Sequence, residues 1–217
     1  MDQPVRHYWH LRLERLKERL AKNHFEAHVA ADTEEAVQLV MGRIIPASSP
    51  KSVSWGGSMT FAASGLYQRL KKSDTYNILD TFDKSIPAAD LYERRRQSLL
   101  CDLFITGTNA ITERGQLVNL DMLGNRVGAL TFGPKAVIVI TGRNKVVEDL
   151  GAAMKRIKQY AAPANVLKLG KKTPCSKTGQ CHDCSSPDRI CNCWSIIEKS
   201  FPKGRIKIIL INQDLGL

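Results

Sequence analysis

Hydrophobic positions along the chain follow two different spacings, one helical and one typical of buried strands. One face of residues 5–22 is apolar at helical spacing, at Trp9, Leu13, Leu16 and Leu20. Residues 135–141 (KAVIVIT) are instead nearly all apolar, as in strands that are buried on both faces of a parallel sheet. Because such helices and strands alternate, the sequence predicts an α/β fold with an open, mainly parallel sheet.

The other predicted elements continue this alternation. Strands are predicted at 24–31, 53–55, 75–80, 101–106 and 205–212, and helices at 32–45, 59–72, 87–99 and 146–160. Asp32 is the expected N-cap of its helix, with Glu35 three residues later, and Pro46 is expected to end that helix. Residues 107–130 predict a β-hairpin that turns at Arg114 and Gly115, and residues 161–194 predict a loop-rich insertion.

Charge and hydropathy restrict the classes of partner. The chain has 32 Lys and Arg against 21 Asp and Glu, a formal net charge of +11, which favours an anionic small molecule, such as a phosphorylated metabolite or coenzyme A, or an acidic protein. The basic residues are scattered and no nucleic-acid-binding signature accompanies them, so we do not expect nucleic acid as the partner. With no apolar run of membrane-spanning length and no secretory signal, we expect a cytoplasmic protein with one domain at 1–217 and no membrane span. A homo-oligomer is a further expectation.

Residues 54–60 (SWGGSMT) join a predicted strand to a predicted helix and form the first candidate binding site. Gly56 and Gly57 let the backbone turn sharply and approach a ligand, while Ser58 and Thr60 add hydroxyls beside the free amides of the helix start. This combination suits an anion. The alternative is a tight turn in which Ser58 is only an N-cap.

Polar residues also follow the predicted strand at 101–106. Gly107, Asn109 and Asn119 are suited to orient a polar ligand, and Glu113 is a candidate catalytic base or nucleophile. The alternative interpretation is that these residues satisfy the backbone groups of the hairpin.

Five of the six cysteines lie between residues 175 and 193. In a reducing cytosol such a cluster indicates an iron–sulfur cluster or a zinc ion more than a disulfide framework, with a thiol–disulfide switch as the alternative. The predicted metal ligands are Cys175, Cys181, Cys184 and Cys191. Cys193 is left out of this predicted set, because four thiolates already complete a tetrahedral site.

Several segments carry a family resemblance. They are ITERGQLVN and GPKAVIVITGRNKVV within residues 101–150, SWGGSMTFAASGL before them, and the C-terminal stretch that begins PCSKTGQCHDC. With these segments the chain resembles a cysteine-bearing subgroup of the LUD-domain (lactate-utilisation) family. The resemblance implies a three-layer α/β sandwich with a mostly parallel sheet and a β-hairpin excursion. Ribose-5-phosphate isomerase, glucosamine-6-phosphate deaminase and the CoA transferases share that fold. An N-terminal helix at 1–23 and a cysteine-rich insertion at 171–194 belong to the same domain.

The resemblance also implies a function. It predicts a subunit that takes part in oxidising L-lactate, or a related 2-hydroxy acid, to pyruvate together with iron–sulfur oxidoreductase subunits. Ligands of the similar folds bind near a Gly/Ser loop and the neighbouring strand ends, so residues 54–60 and 109–119 are expected to line one pocket. Two alternatives remain open: a stand-alone enzyme or binding protein for a phosphosugar or CoA ester, and a metal- or redox-sensing module.

Overall fold

The computed structural model describes residues 3–217 and places a six-stranded sheet at their centre. With strands numbered in chain order, the sheet runs β1 (Glu26–Ala30), β10 (Ile206–Ile211), β7 (Ala136–Gly142), β4 (Leu103–Gly107), β2 (Ser52–Trp55) and β3 (Asn77–Leu79). All neighbouring pairs in it are parallel. The predicted α/β class with a mostly parallel sheet is therefore confirmed.

A second, four-stranded sheet carries the predicted hairpin. Its order is β8 (Val146–Val147), β5 (Ala110–Thr112), β6 (Leu117–Asp121) and β9 (Cys193–Ile197). Strands β5 and β6 are antiparallel, and Gly115 in their turn has a φ of 80°, which favours glycine. The hairpin is thus part of a larger sheet, in which β9 brings the end of the cysteine-rich segment beside β6.

Helices cover both faces of the central sheet and complete the three layers. In chain order they are α1 (Gln3–Lys22), α2 (Thr33–Leu39), α3 (Ile45–Ser48), α4 (Met59–Ala63), α5 (Leu66–Lys71), α6 (Ala88–Gln97), α7 (Asn125–Thr131), α8 (Leu150–Arg156), α9 (Ala162–Lys168) and α10 (Pro174–Thr178). Alternate residues of β7 enter different cores: Val137 and Val139 pack with α1, and Ile138 and Ile140 pack with α2 to α5. None of the helices in residues 3–217 has the length and hydropathy needed to cross a membrane.

The prediction that Pro46 ends a helix is wrong. A π-helical turn at Val40–Ile44 joins α2 to α3, and Pro46 lies in the first turn of α3. Proline has no backbone N–H, and the first turn of a helix does not need one. The predicted N-cap is present, because the Asp32 carboxylate accepts a hydrogen bond of 2.9 Å from the Glu35 amide.

Three other boundaries also differ from the prediction. The single helix expected at 59–72 is interrupted at Ser64 and Gly65, which separate α4 from α5. Gly65 has a φ of 82°, which is not a helical value. Val146 and Val147 form β8, and α8 starts only after Asp149, whose carboxylate caps it. The region expected as loop at 161–194 contains α9, α10 and the start of β9.

Candidate functional site

A cavity of about 850 Å³ opens at the carboxyl edge of the central sheet. Its wall includes Gly57 and Ser58 after β2, Asn109 after β4 and Lys145 after β7. The carboxyl ends of parallel strands meet at one edge, which is where open α/β sheets bind ligands. The volume lies in the range of small-molecule sites.

Glycines make this close assembly of loops feasible. A Cβ on Gly107 would stand 2.5 Å from the Ser58 Oγ and 3.3 Å from the Ile140 carbonyl oxygen, so a larger residue there would displace the Ser58 hydroxyl. A Cβ on Gly142 would stand 2.7 Å from the Gln213 carbonyl oxygen. Gly142 therefore lets residues after β10 run close to the turn that carries Lys145.

Lys145 is the most unusual side chain of the cavity wall. It is 4% exposed, and its Nζ donates hydrogen bonds to the Thr60 Oγ1 at 2.7 Å and to the Thr108 carbonyl oxygen at 3.1 Å. Burial, followed by the nearby charges of Arg156 and Arg126, lowers its pKa to about 7. An amine that exchanges a proton near neutral pH is suited to acid–base chemistry or to a switchable anion contact.

Arg126 brings a second cation to the same wall. Its Nε donates to the Asp121 carboxylate at 3.0 Å, and its Nη2 donates to the Leu120 carbonyl oxygen at 3.1 Å. Within residues 3–217 its Nη1 makes no hydrogen bond, although Arg126 lines the cavity. These contacts fix the guanidinium plane and leave donors for a bound carboxylate or phosphate.

The cavity as a whole is basic. Among the described residues that line it there are five lysines and two arginines, and the acidic side chains are Asp83 and Asp121. Asp121 is already paired with Arg126. The balance of charge therefore favours an anionic ligand.

Comparisons with known proteins agree with this architecture. The sequence profile of the LUD domain matches residues 13–211. The chain belongs to the LUD-domain family. This family is associated with lactate utilisation.

Among solved structures, this LUD-domain chain is similar to a DUF162 family protein from Deinococcus radiodurans. The two share 13% sequence identity over 94% of this chain and 98% of the other, with a TM-score of 0.51. At that identity the likeness concerns the fold. No curated protein matches the chain significantly.

The structure brings most of the predicted ligand-binding residues of the LUD domain to the cavity. Gly57, Ser58, Gly107 and Asn109 line it. The other three lie behind the wall and contact residues that form it: Gly56 beside the Arg126 side chain, Thr60 on the Lys145 Nζ, and Asn119 on the Asn109 amide. Helix α4 has five residues, so its dipole adds little to anion binding, in contrast to the expectation.

Glu113 lies elsewhere. It is in the hairpin turn between β5 and β6, forms an ion pair with Arg12 of α1, and is absent from the cavity lining. Its catalytic role stays a prediction, and this position gives it no support. The ion pair with Arg12 docks the hairpin on α1, which gives the Glu113 carboxylate a structural role.

The predicted metal ligands converge on a second, smaller cavity. Cys175, Cys181, Cys184 and Cys191 all line it, whereas Cys193 is exposed and does not. Within residues 3–217 no three Cys, His, Asp or Glu side chains already stand at ligand distance around one point. The metal assignment stays a prediction.

Two functional candidates, Lys145 and Arg126, were missed by the sequence analysis. The segment RNK follows the buried strand β7 directly, as TN follows β4. Polar residues directly after an apolar strand were therefore a sequence signal for Lys145. Arg126 had no comparable signal, because its place depends on the pairing of Asp121 with the first turn of α7.

Proposed function

We propose that the chain binds L-lactate, or a related 2-hydroxy acid, in the basic cavity and takes part in its oxidation to pyruvate. The observation that supports this most is the buried Lys145 beside Arg126 at the carboxyl edge of the sheet. A carboxylate fits the guanidinium of Arg126, and a hydroxyl on the next carbon fits an amine. The association of the family with lactate utilisation agrees with this pairing.

In this proposal each charged residue has one chemical task. Arg126 holds the carboxylate, and the neutral form of Lys145 accepts the proton of the 2-hydroxyl group as the carbonyl forms. The pKa of Lys145, lowered to about 7, makes that neutral form available at physiological pH. The two electrons and the second proton pass to an acceptor, for which we propose the iron–sulfur oxidoreductase subunits that the family resemblance implies.

Titration calorimetry with L-lactate and with pyruvate tests ligand binding without any partner. We expect saturable binding that Lys145→Met weakens by about 3- to 10-fold, since one hydrogen bond between the neutral amine and the 2-hydroxyl group is lost. Lys155→Met is the matched control, because Lys155 is exposed on α8 and does not line the cavity. Its affinity should equal that of the unaltered chain.

Two results would show the proposal to be wrong. One is the absence of any heat of binding with both acids. The other is an equal effect of Lys145→Met and Lys155→Met, since that would place the ligand outside the cavity.

The size of the cavity supports a second candidate. About 850 Å³ is generous for a three-carbon acid and suits a phosphosugar or a CoA ester, whose phosphates would meet the same basic wall. The same titration with ribose 5-phosphate and acetyl-CoA separates the two candidates. A response to either of these, with none to L-lactate or pyruvate, would favour the stand-alone enzyme or binding protein.

A further inference from the structure

The smaller cavity lies between α9 and the loops that follow it. It has an accessible volume of about 10 Å³, and its wall contains the four predicted cysteine ligands together with Ala162 and Val166 of α9. The four sulfur-bearing residues come from three separate stretches of the insertion, so their convergence is a product of the fold. Cys193, the fifth cysteine of the cluster, belongs to β9 instead.

Hydrogen bonds to sulfur are already in place in this cavity. The Asp183 amide donates to the Cys181 Sγ at 3.4 Å, inside the C-x-x-C motif at residues 181–184. The Thr173 hydroxyl lies 3.1 Å from the Cys175 Sγ. A backbone amide that donates to sulfur stabilises a thiolate, the form in which cysteine binds metal, and the Thr173 hydroxyl can do the same once Cys175 has lost its proton.

Arg189 ties the cysteine-bearing loops to one another. Its Nε donates to the Cys191 carbonyl oxygen at 3.0 Å, and its Nη1 donates to the Cys184 carbonyl oxygen. The Asp183 carboxylate bridges Arg189 and Lys158, at 2.8 Å from each, and so joins the loop to the π-helical turn Ile157–Ala161, which connects α8 to α9. Two cations next to four thiols also suit a site with negative charge, since four thiolates around a divalent ion carry a net charge of −2.

We propose that Cys175, Cys181, Cys184 and Cys191 bind a single zinc ion as four thiolates. Four cysteine thiolates form a closed tetrahedral zinc site, and the small free volume suits one ion better than an iron–sulfur cluster. Coordination draws the four sulfur atoms inward from their present positions. The ion then fastens the insertion to α9, which makes the site a structural one.

Metal analysis of the full chain, purified without oxygen, tests this site. Zinc, iron and acid-labile sulfide are measured in the unaltered chain, in Cys184→Ser and in Cys193→Ser. We expect one zinc per chain in the unaltered protein and in Cys193→Ser, and a zinc affinity at least tenfold lower in Cys184→Ser. The affinity is measured in competition with a chromophoric chelator, because weak binding is lost during purification.

Folding is checked by circular dichroism, and Cys181→Ser replaces Cys184→Ser if the latter does not fold. A chain without bound metal contradicts the proposal, as does iron with matching sulfide, which would indicate a cluster. Equal zinc affinity in folded Cys184→Ser and Cys193→Ser also contradicts it. None of these measurements involves L-lactate or pyruvate, so their failure is distinct from failure of the proposed lactate binding.

Discussion

Lys145 shows how a single residue can be both a cost to the fold and a functional group. Its amine is buried at the end of β7, where it has hydrogen-bond acceptors but no carboxylate partner among the residues that bind it. Burial disfavours its charged form and lowers its pKa from 10.5 to about 7. The free energy of unfolding therefore depends on pH through this residue.

The direction of that dependence follows from the protons bound in each state. Above pH 7 the folded chain loses the Lys145 proton, whereas the unfolded chain keeps it up to about pH 10.5. The contribution of Lys145 to the free energy of unfolding is therefore lowest below pH 7 and rises between pH 7 and about pH 10.5. Relative to Lys145→Met, the unaltered chain should gain up to ~1.4 kcal/mol per pH unit between pH 7 and pH 9.

Urea denaturation of both proteins at several pH values measures this difference, and the cysteines common to both proteins cancel in the comparison. A stability difference that stays constant from pH 6 to pH 9 would contradict the low pKa.

At the scale of elements, periodicity predicted the central sheet well. Strands β4, β7 and β10 were found because a buried parallel strand is an apolar run that the local sequence displays, and the edge strand β1 was found from the alternation of Phe25, Ala27 and Val29 with other residues. Strand β8 has two residues, too few to show a period. Strand β9 is a largely exposed edge strand that begins inside the cysteine-rich segment, so it does not display a buried apolar run. Their pairing with β5 and β6 depends on tertiary contacts.

The candidate site was predicted only in part for a similar reason. The Gly/Ser loop and Asn109 were visible because glycine and asparagine after an apolar strand indicate a strand end. The placement of Arg126 and the burial of Lys145 depend on residues that are distant in sequence, such as Thr60. Burial of a lysine has no local sequence signal.

Helix α1 allows a direct test of an element's contribution to stability. Leu13 is fully buried against the sheet, whereas Leu11 on the same helix is 54% exposed. We expect Leu13→Ala to lower the free energy of unfolding by about 2–5 kcal/mol, because it leaves a cavity beside the central sheet. Leu11→Ala should change it by less than about 1 kcal/mol. Urea denaturation measures both, and similar losses would mean that α1 does not dock as described.

At the scale of the whole molecule, the basic residues behind the net charge of +11 fall into groups with different surroundings. Several basic residues face the cavity, and others pair with carboxylates, such as Lys135 with Asp102 and Lys207 with Glu26. Seven of the 32 basic residues thus line one concave site. This distribution suits a small anion better than an extended polyanion.

A charge distribution of this kind predicts weak binding to nucleic acid. Fluorescence anisotropy with a labelled DNA duplex at physiological salt should show no saturation below about 10 μM protein, within the range of non-specific association. Binding should also disappear as salt is raised, because it would rest on counterion release alone. Tight, saturable binding under these conditions would show that nucleic acid is a partner after all.

Ile190 and Cys191 face the large cavity on one side and the cysteine cavity on the other. A ligand in one cavity and an ion in the other would therefore act on the same short stretch of backbone. If the bound ion changes the affinity for the ligand by some factor, thermodynamic linkage requires that the bound ligand change the affinity for the ion by the same factor. Removal of the ion would then change the affinity of the large cavity for its ligand through residues 190–191.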